Sequence, residues 1–346
     1  MDRPIPAQES FAAQLAQYGP HTPPFDGNLA AARNYCRDLA RTHYENFAVT
    51  SWLLPRELRP HFHAVYAYCR WSDDLADEVA DPARSRELLD WWENELSSCL
   101  TTRPRHPVFV ALAETIRAYS IPLQPFHDLL IAFRQDTIRT RYATINELRE
   151  YCRYSANPVG QIVLYLYRAW THERAVLSDA ICTGLQWVNF CQDVSRDWHD
   201  RRRIYLPCES WNRFGIEYED DFVALICQAG KPDLRDSMRQ LVLSETARAK
   251  AWLLEGRPLV AELPWSFGRN LDLIVQGGLA ICEKIEAVKG EVLQSRPRVG
   301  KADQAMLLAR TWWHWRGGRR PIFEHRALTK KLSPAALATV GSEVRR

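Results

Sequence analysis

From about Asn28 onward, apolar residues recur at helical spacing, and no stretch shows the sustained period-two alternation that marks a half-buried strand. The breaks are short and carry helix signals. Pro55 opens a segment running to about Val79, and Asp81-Pro82 sets an N-cap before a first-turn proline at the start of the Trp91-Trp92 helix. Thr144 with Glu147 three residues on fits a capping box ahead of Leu148–Ser155. Val176–Trp198 reads as a further long helix, with others near 232–255 and 268–293. There is no internal repeat and no glycine-rich linker. The expectation is an all-α chain of on the order of a dozen helices, given ordinary helix lengths. At 346 residues and 46% hydrophobic content it can bury a large core in one helical domain or in two smaller ones, and a single domain is the expectation. Residues 1–27 hold five prolines and read as a loosely ordered arm, 28–300 as the helical domain, and 301–346 as a basic, Trp-rich extension.

Several function classes are disfavoured. MDRPIPAQES has no basic region followed by an apolar stretch, so a secretory signal is not expected. The charge-free segments Tyr154–Tyr167 and Ala180–Gln192 are too short to span a bilayer and read as buried helices. Nine scattered cysteines, odd in number and without C-x-x-C, suit reduced thiols in a cytoplasmic protein. His61 and His63 have no third ligand nearby and read as surface histidines. No Cys/His spacing suits zinc, and no serine or cysteine stands in a nucleophile context.

Two acidic constellations carry the chemistry. In Arg70-Trp71-Ser72-Asp73-Asp74-Leu75-Ala76-Asp77-Glu78, Asp73 and Asp77 share one helix face, Asp74 is their less regular neighbour, and Arg70 lies one turn earlier on the same side. In Asn189-Phe190-Cys191-Gln192-Asp193-Val194-Ser195-Arg196-Asp197, Asn189, Asp193 and Asp197 stand at i, i+4 and i+8. Like charges four apart cost a helix a few tenths of a kcal/mol, and aspartate is a poor helix former. Each set nevertheless borders an apolar stretch, Phe62–Tyr68 and Leu185–Cys191. Mg²⁺ would relieve both penalties, because it takes a few carboxylate oxygens and completes its shell with water and phosphate. On this reading two such helices face each other, hold a diphosphate through shared metal, and stabilise the charge on the leaving group. Neutralising Asp73 or Asp193 should then abolish diphosphate release while the metal-free fold survives or gains slightly.

YAYCRWSDDLADE (66–78), YCRYSANPVG (151–160) and QWVNFCQDVSRDWHDRRRIYLP (186–207), in that order, make the chain resemble the squalene/phytoene synthase family over about residues 30–295. The resemblance implies an isoprenoid-synthase fold with a central apolar cavity. It implies Mg²⁺–diphosphate ligation by Asp73, Asp77, Asn189, Asp193 and Asp197, and diphosphate binding by Arg70. Tyr151 would face the reacting centre and Gln186 would line the cavity, while Arg203 and Tyr205 follow the second motif as substrate-binding candidates. HYENF (43–47), SANPVG (155–160) and Gln192, where condensing members commonly place an arginine, pull toward the bacterial hydroxysqualene synthases. Losing that arginine and gaining Glu45, Asn46 and Asn157 lowers positive charge and adds polar groups. Such a site would ionise presqualene diphosphate, rearrange the cation and admit water, with Tyr44, Asn46 and Asn157 as candidates to position it. No NADPH is expected. The alternatives are a head-to-head prenyl transferase making presqualene diphosphate, squalene or phytoene, and a non-catalytic helical protein binding nucleic acid or partners.

The tail is the remaining feature. Residues 310–346 carry nine Lys/Arg against two acidic residues, a net +7, which leaves the preceding residues at −4. Arg310-Thr-Trp-Trp-His-Trp-Arg mixes tryptophan with cations. Core packing, contact with a lipid surface and contact with nucleic acid are all open readings. The candidate partners are a prenyl diphosphate substrate, a membrane surface touched transiently and neighbouring pathway enzymes, with nucleic acid not expected. The expected location is cytoplasmic, at most peripheral on the inner face of the membrane.

Overall fold

The computed structural model describes residues 10–42, 54–217, 219–227 and 232–315. Sixteen helices account for its regular structure, and among the described residues the only β feature is an isolated bridge between Arg141 and Ile204. In chain order the helices are α1 Phe11–Tyr18, α2 Leu29–Thr42, α3 Arg59–Asp77, α4 Pro82–Ser98, α5 Pro107–Tyr119, α6 Gln124–Asp136, α7 Ile145–Ser155 and α8 Asn157–Leu166. They continue as α9 His172–Gln192, α10 Val194–Arg201, α11 Cys208–Arg213, α12 Glu219–Ile226, α13 Pro232–Gly256, α14 Leu259–Glu262, α15 Trp265–Ala287 and α16 Lys301–His314. The chain divides into two compact units. One is Met1–Arg139 with Gln161–Ala169, the other Thr140–Gly160 with Trp170–Arg346.

In the first unit α3 packs on α2, α4, α5 and α6. Its buried positions Ala64, Val65, Tyr68, Trp71, Ser72, Leu75 and Ala76 follow the 3.6-residue repeat and form the apolar stripe. Trp71 stacks on Trp92 at 5.4 Å between ring centroids, and the edge of His106 meets Trp71 at 4.4 Å. The ring polar atoms are satisfied: Trp92 Nε1 donates to Ser72 Oγ at 3.0 Å, Trp71 Nε1 to Tyr35 Oη at 2.8 Å, and Tyr68 Oη to the Phe126 carbonyl at 2.9 Å. Burial holds the His106 imidazole well below its usual pKa, hence neutral, and its Nδ1 accepts the Val108 N–H that starts α5. Of residues 1–27, the described part carries α1, whose Phe11 meets Trp71 at 5.2 Å and whose Tyr18 meets Tyr35 at 5.2 Å.

His61 departs from its surface assignment. It is 8% exposed, because it falls on the apolar stripe of α3, and its Nδ1 lies 2.9 Å from Thr115 Oγ1 and 3.4 Å from Glu114.

In the second unit α9 runs against α13, and α15 packs on both. Gly184 permits the close approach, since a Cβ there would sit 2.9 Å from the Leu253 backbone nitrogen and 3.0 Å from the Ala249 carbonyl. Thr144 caps α7 as expected: its Oγ1 accepts the Glu147 N–H at 3.1 Å, while Glu147 accepts from the Ala143 N–H at 2.8 Å. Asp81 likewise caps α4 through the N–H groups of Ala83 and Arg84. The helix expected over Val176–Trp198 is instead two helices, α9 and α10, meeting at Asp193 (φ −106°, ψ 13°). Hydrogen bonds continue through the joint, Asp193 N–H to the Asn189 carbonyl at 2.9 Å and Asp197 N–H to Asp193 at 2.8 Å. The bend falls where the non-helical 288–300 strap is fastened to the chain: the buried Gln192 amide donates to the Pro297 carbonyl and Arg296 grips Asp193. Contacts from 103 residues away override the local helical pattern there.

Candidate active site

The first carboxylate set closes α3. Arg70 reaches along the helix to Asp74 through two hydrogen bonds, Nε to Oδ2 at 2.9 Å and Nη2 to Oδ1, and to Asp73 Oδ2 at 3.4 Å. Asp74, the residue the periodicity made least regular, is buried, and it anchors the arginine. Burial pushes its carboxyl up to about 6 against the pull of Arg70. Asp73 and Asp77 are half-buried, on the side of α3 opposite the aromatic core. All three carboxylates sit in the last turns of the helix, where the macrodipole is negative, so the arrangement favours a cation.

The second set lies at the α9–α10 joint. Asp193 is 6% exposed and accepts from Asn189 Nδ2 at 2.9 Å and from Arg296 Nη2 at 2.9 Å, with Arg296 Nε on its other oxygen. Asp197 stands one turn on. Burial first, and then the Asp193 charge, push its carboxyl up to about 8 against the opposing charges of Arg203 and Arg196. Of the basic run, Arg201 and Arg202 are exposed and Arg203 is buried. Arg202 adopts the left-handed conformation (φ 55°) that ends α10 and lays its guanidinium over Trp198 at 5.0 Å.

An aromatic wall adjoins this set. Tyr205 stacks on Phe190 at 4.2 Å, and Tyr151 approaches Tyr205 at 5.7 Å and Phe190 at 6.2 Å. Thr183, Gln186, Phe190 and Asp193 follow one side of α9. Gln186 is half-buried. Asn157 is buried, and its Oδ1 accepts the Thr183 hydroxyl at 3.0 Å. The second unit therefore gathers Tyr151, Asn157, Gln186, Asn189, Asp193, Asp197, Arg203 and Tyr205. Arg70, Asp73 and Asp77 belong to the first unit, while Tyr44 and Asn46 lie outside the described residues.

Sequence reasoning missed Arg296. Nothing local in SRPRVG marks it, and only the fold brings it to Asp193. It also corrects the expectation of a charge deficit at Gln192. The amide there faces the Pro297 carbonyl, and a guanidinium from the strap lies on the neighbouring aspartate instead.

Magnesium fits the donor set by chemistry. Every candidate donor is oxygen, and Asp197 is a carboxyl held toward its neutral form first by burial and then by the Asp193 charge, a strain that a divalent ion removes. Among the described residues no three His, Cys, Asp or Glu side chains are gathered closely enough to hold an ion alone. The remaining ligands would be diphosphate oxygens and water, as Mg²⁺ prefers.

Residues 40–303 match the squalene/phytoene synthase family. The chain belongs to that family. The match covers both carboxylate sets, the aromatic wall and Arg296. A hydroxysqualene synthase from Rhodopseudomonas palustris is 36% identical over 225 residues, 64% of this chain and 73% of that protein. The chloroplastic phytoene synthase 3 of Zea mays is 29% identical over 315 residues, 87% of this chain and 71% of that one. Among solved structures, the squalene synthase HpnC from Alicyclobacillus acidocaldarius superposes with a TM-score of 0.70 at 41% identity, covering 75% of this chain and 95% of its own. The enzyme is thus an all-α terpenoid synthase of the isoprenoid-synthase fold. No helix among its described residues is long and apolar enough to cross a membrane.

Proposed function

We propose that this synthase converts presqualene diphosphate to hydroxysqualene. The C–O bond to diphosphate breaks with its electron pair leaving on oxygen, the cyclopropylcarbinyl cation rearranges, and water adds with loss of a proton. Asp73, Asp77, Asn189, Asp193 and Asp197 hold the Mg²⁺–diphosphate. Bound Mg²⁺ supplies charge neutralisation of the leaving diphosphate. Arg70, fixed by Asp74, and Arg203, beside Asp197, add fixed positive charge for the same oxygens. Tyr151, Phe190 and Tyr205 present ring faces that stabilise a cation without reacting with it. Gln186 lines the same side of α9, and Tyr44 and Asn46 are further polar candidates. The reaction is redox-neutral and needs no nicotinamide.

The observation that carries the water-capturing branch is Asn157. It is a buried amide whose oxygen is engaged by Thr183, so its NH₂ group is left to hold a water. The 36% identity to a hydroxysqualene synthase supports the same branch. In the test, purified enzyme is incubated with presqualene diphosphate and Mg²⁺, with and without NADPH, and the lipid is identified by mass spectrometry. Hydroxysqualene at equal rates in both is expected. Conversion of farnesyl diphosphate alone to a cyclopropyl diphosphate would transfer the enzyme to the condensing branch. Arg296 favours that second reading, because it restores a guanidinium beside Asp193. Asn157→Leu should leave diphosphate release close to the wild-type rate, because water adds only after ionisation, while shifting product away from the alcohol. An unchanged product ratio removes Asn157 from the role.

A further inference from the structure

Helix α16 has two unlike faces. Leu307, Thr311 and Trp315 point inward at spacing i, i+4, i+8, each 7% exposed or less. Trp315 Nε1 donates to the fully buried Asp272 at 3.0 Å, and Gln276 Nε2 lies 3.4 Å from Thr311 Oγ1, so this face is fixed on α15. The other face carries Ala302, Met306, Ala309 and Trp313 at i, i+4, i+7 and i+11, with Ala305 and Trp312 beside them. Met306, Trp312 and Trp313 are 63%, 60% and 67% exposed. Core packing accounts for Trp315, whereas Met306, Trp312 and Trp313 turn most of their surface outward. Next to Trp315 at 6.2 Å, Trp265 is 43% exposed and carries Arg269 over its ring at 4.5 Å.

Charge is arranged to match. Lys301 and Arg310 lie on α16, Arg316, Arg319 and Arg320 follow it directly, and the +7 of residues 310–346 stands against −4 for the rest. An aliphatic and tryptophan ridge that shares its helix with Lys301 and Arg310 and is followed in sequence by further arginines is what an anionic bilayer surface recognises. The apolar side chains enter the headgroup boundary and the cations meet phosphate. Alanine and methionine neither stack on bases nor pair with phosphate, so the ridge fits lipid better than nucleic acid. Almost all of it lies beyond residue 303, where the match to the family ends.

We propose that α16 and the arginines after it dock this enzyme on an anionic lipid surface, with Met306, Trp312 and Trp313 inserted. The inference does not depend on which prenyl diphosphate is used, and its test involves no turnover. Full-length protein is floated with phosphatidylcholine vesicles and with mixed phosphatidylcholine–phosphatidylglycerol vesicles, at low and high salt. Binding to the mixed vesicles is expected, weakened about tenfold or more in pure phosphatidylcholine, in Arg316→Gln/Arg319→Gln/Arg320→Gln, and at high salt. Trp312→Ser/Trp313→Ser should lose binding by a similar factor, with a cooperative melting transition showing that the variant is folded. Absence of binding at low salt overturns the proposal. So does a Trp variant that binds like wild type, or a preference for an RNA probe over vesicles. Conversion of a dimer to a monomer by the Trp variant without loss of vesicle binding would assign the ridge to a second copy of the chain and also overturn it.

Discussion

Asp197 combines burial with a like-charged neighbour, and the consequence has a definite sign. Its carboxyl is raised from the ordinary 3.8 to about 8, so the folded state holds the proton more tightly than the unfolded chain. Stability therefore falls as pH rises between those values, and the loss is complete above the upper one. In metal-free protein, Asp197→Asn should raise the melting temperature clearly at pH 9 and little at pH 4, and Mg²⁺ with diphosphate should reverse the order of the two proteins. Equal shifts at both pH values would show that the carboxyl is not strained. Asp193 behaves differently, because Arg296 already neutralises it. The expectation from spacing alone, that removing this charge stabilises the metal-free fold, is reversed: Asp193→Asn should cost about 1–3 kcal/mol by leaving a half-buried guanidinium without its carboxylate. Thermal melts in chelator decide it, and a variant at least as stable as wild type would contradict the pairing. Asn189, Asp193 and Asp197 were legible as a stripe because the 3.6-residue period is a local property. Arg296 was not, because nothing in a sequence states which residue returns to a given helix after 103 positions.

Among the elements, α9 decides most, since it carries Gln186, Asn189 and the turn into Asp193 while packing on α13 through Gly184. A methyl group at Gly184 would press on the backbone of α13, which cannot yield as a side chain can. Gly184→Ala should destabilise by about 1–3 kcal/mol, visible as a lowered denaturation midpoint. A neutral result would mean that α9 and α13 separate at little cost. The starts of α4 and α7 were readable from Asp81-Pro82 and Thr144-x-x-Glu147 because caps are satisfied by near neighbours. The joint at Asp193 was not, because the hydrogen-bonding pattern continues through it and only the distant strap marks the place.

For the molecule as a whole, the proposed reaction requires the carboxylates of α3 and those of α9–α10 to serve one diphosphate. Mg²⁺ with inorganic diphosphate should raise the melting temperature of wild type, and Asp73→Asn and Asp193→Asn should each abolish most of that shift, because ligand binding stabilises by mass action only where the site is complete. A shift surviving in either variant would separate the two sets. The sequence by itself determined the all-α class, the two acidic stripes, the starts of several helices and membership of the family, all of which rest on periods and spacings within a few turns. The tertiary structure alone decided that Asp74 rather than Asp73 anchors Arg70, that Arg296 neutralises Asp193, that His61 is buried, and that Trp315 is buried while Trp312 and Trp313 remain exposed. The reason is physical: burial and ion pairing depend on which distant surfaces meet, and a local period fixes a side chain's direction on its helix without fixing what it faces.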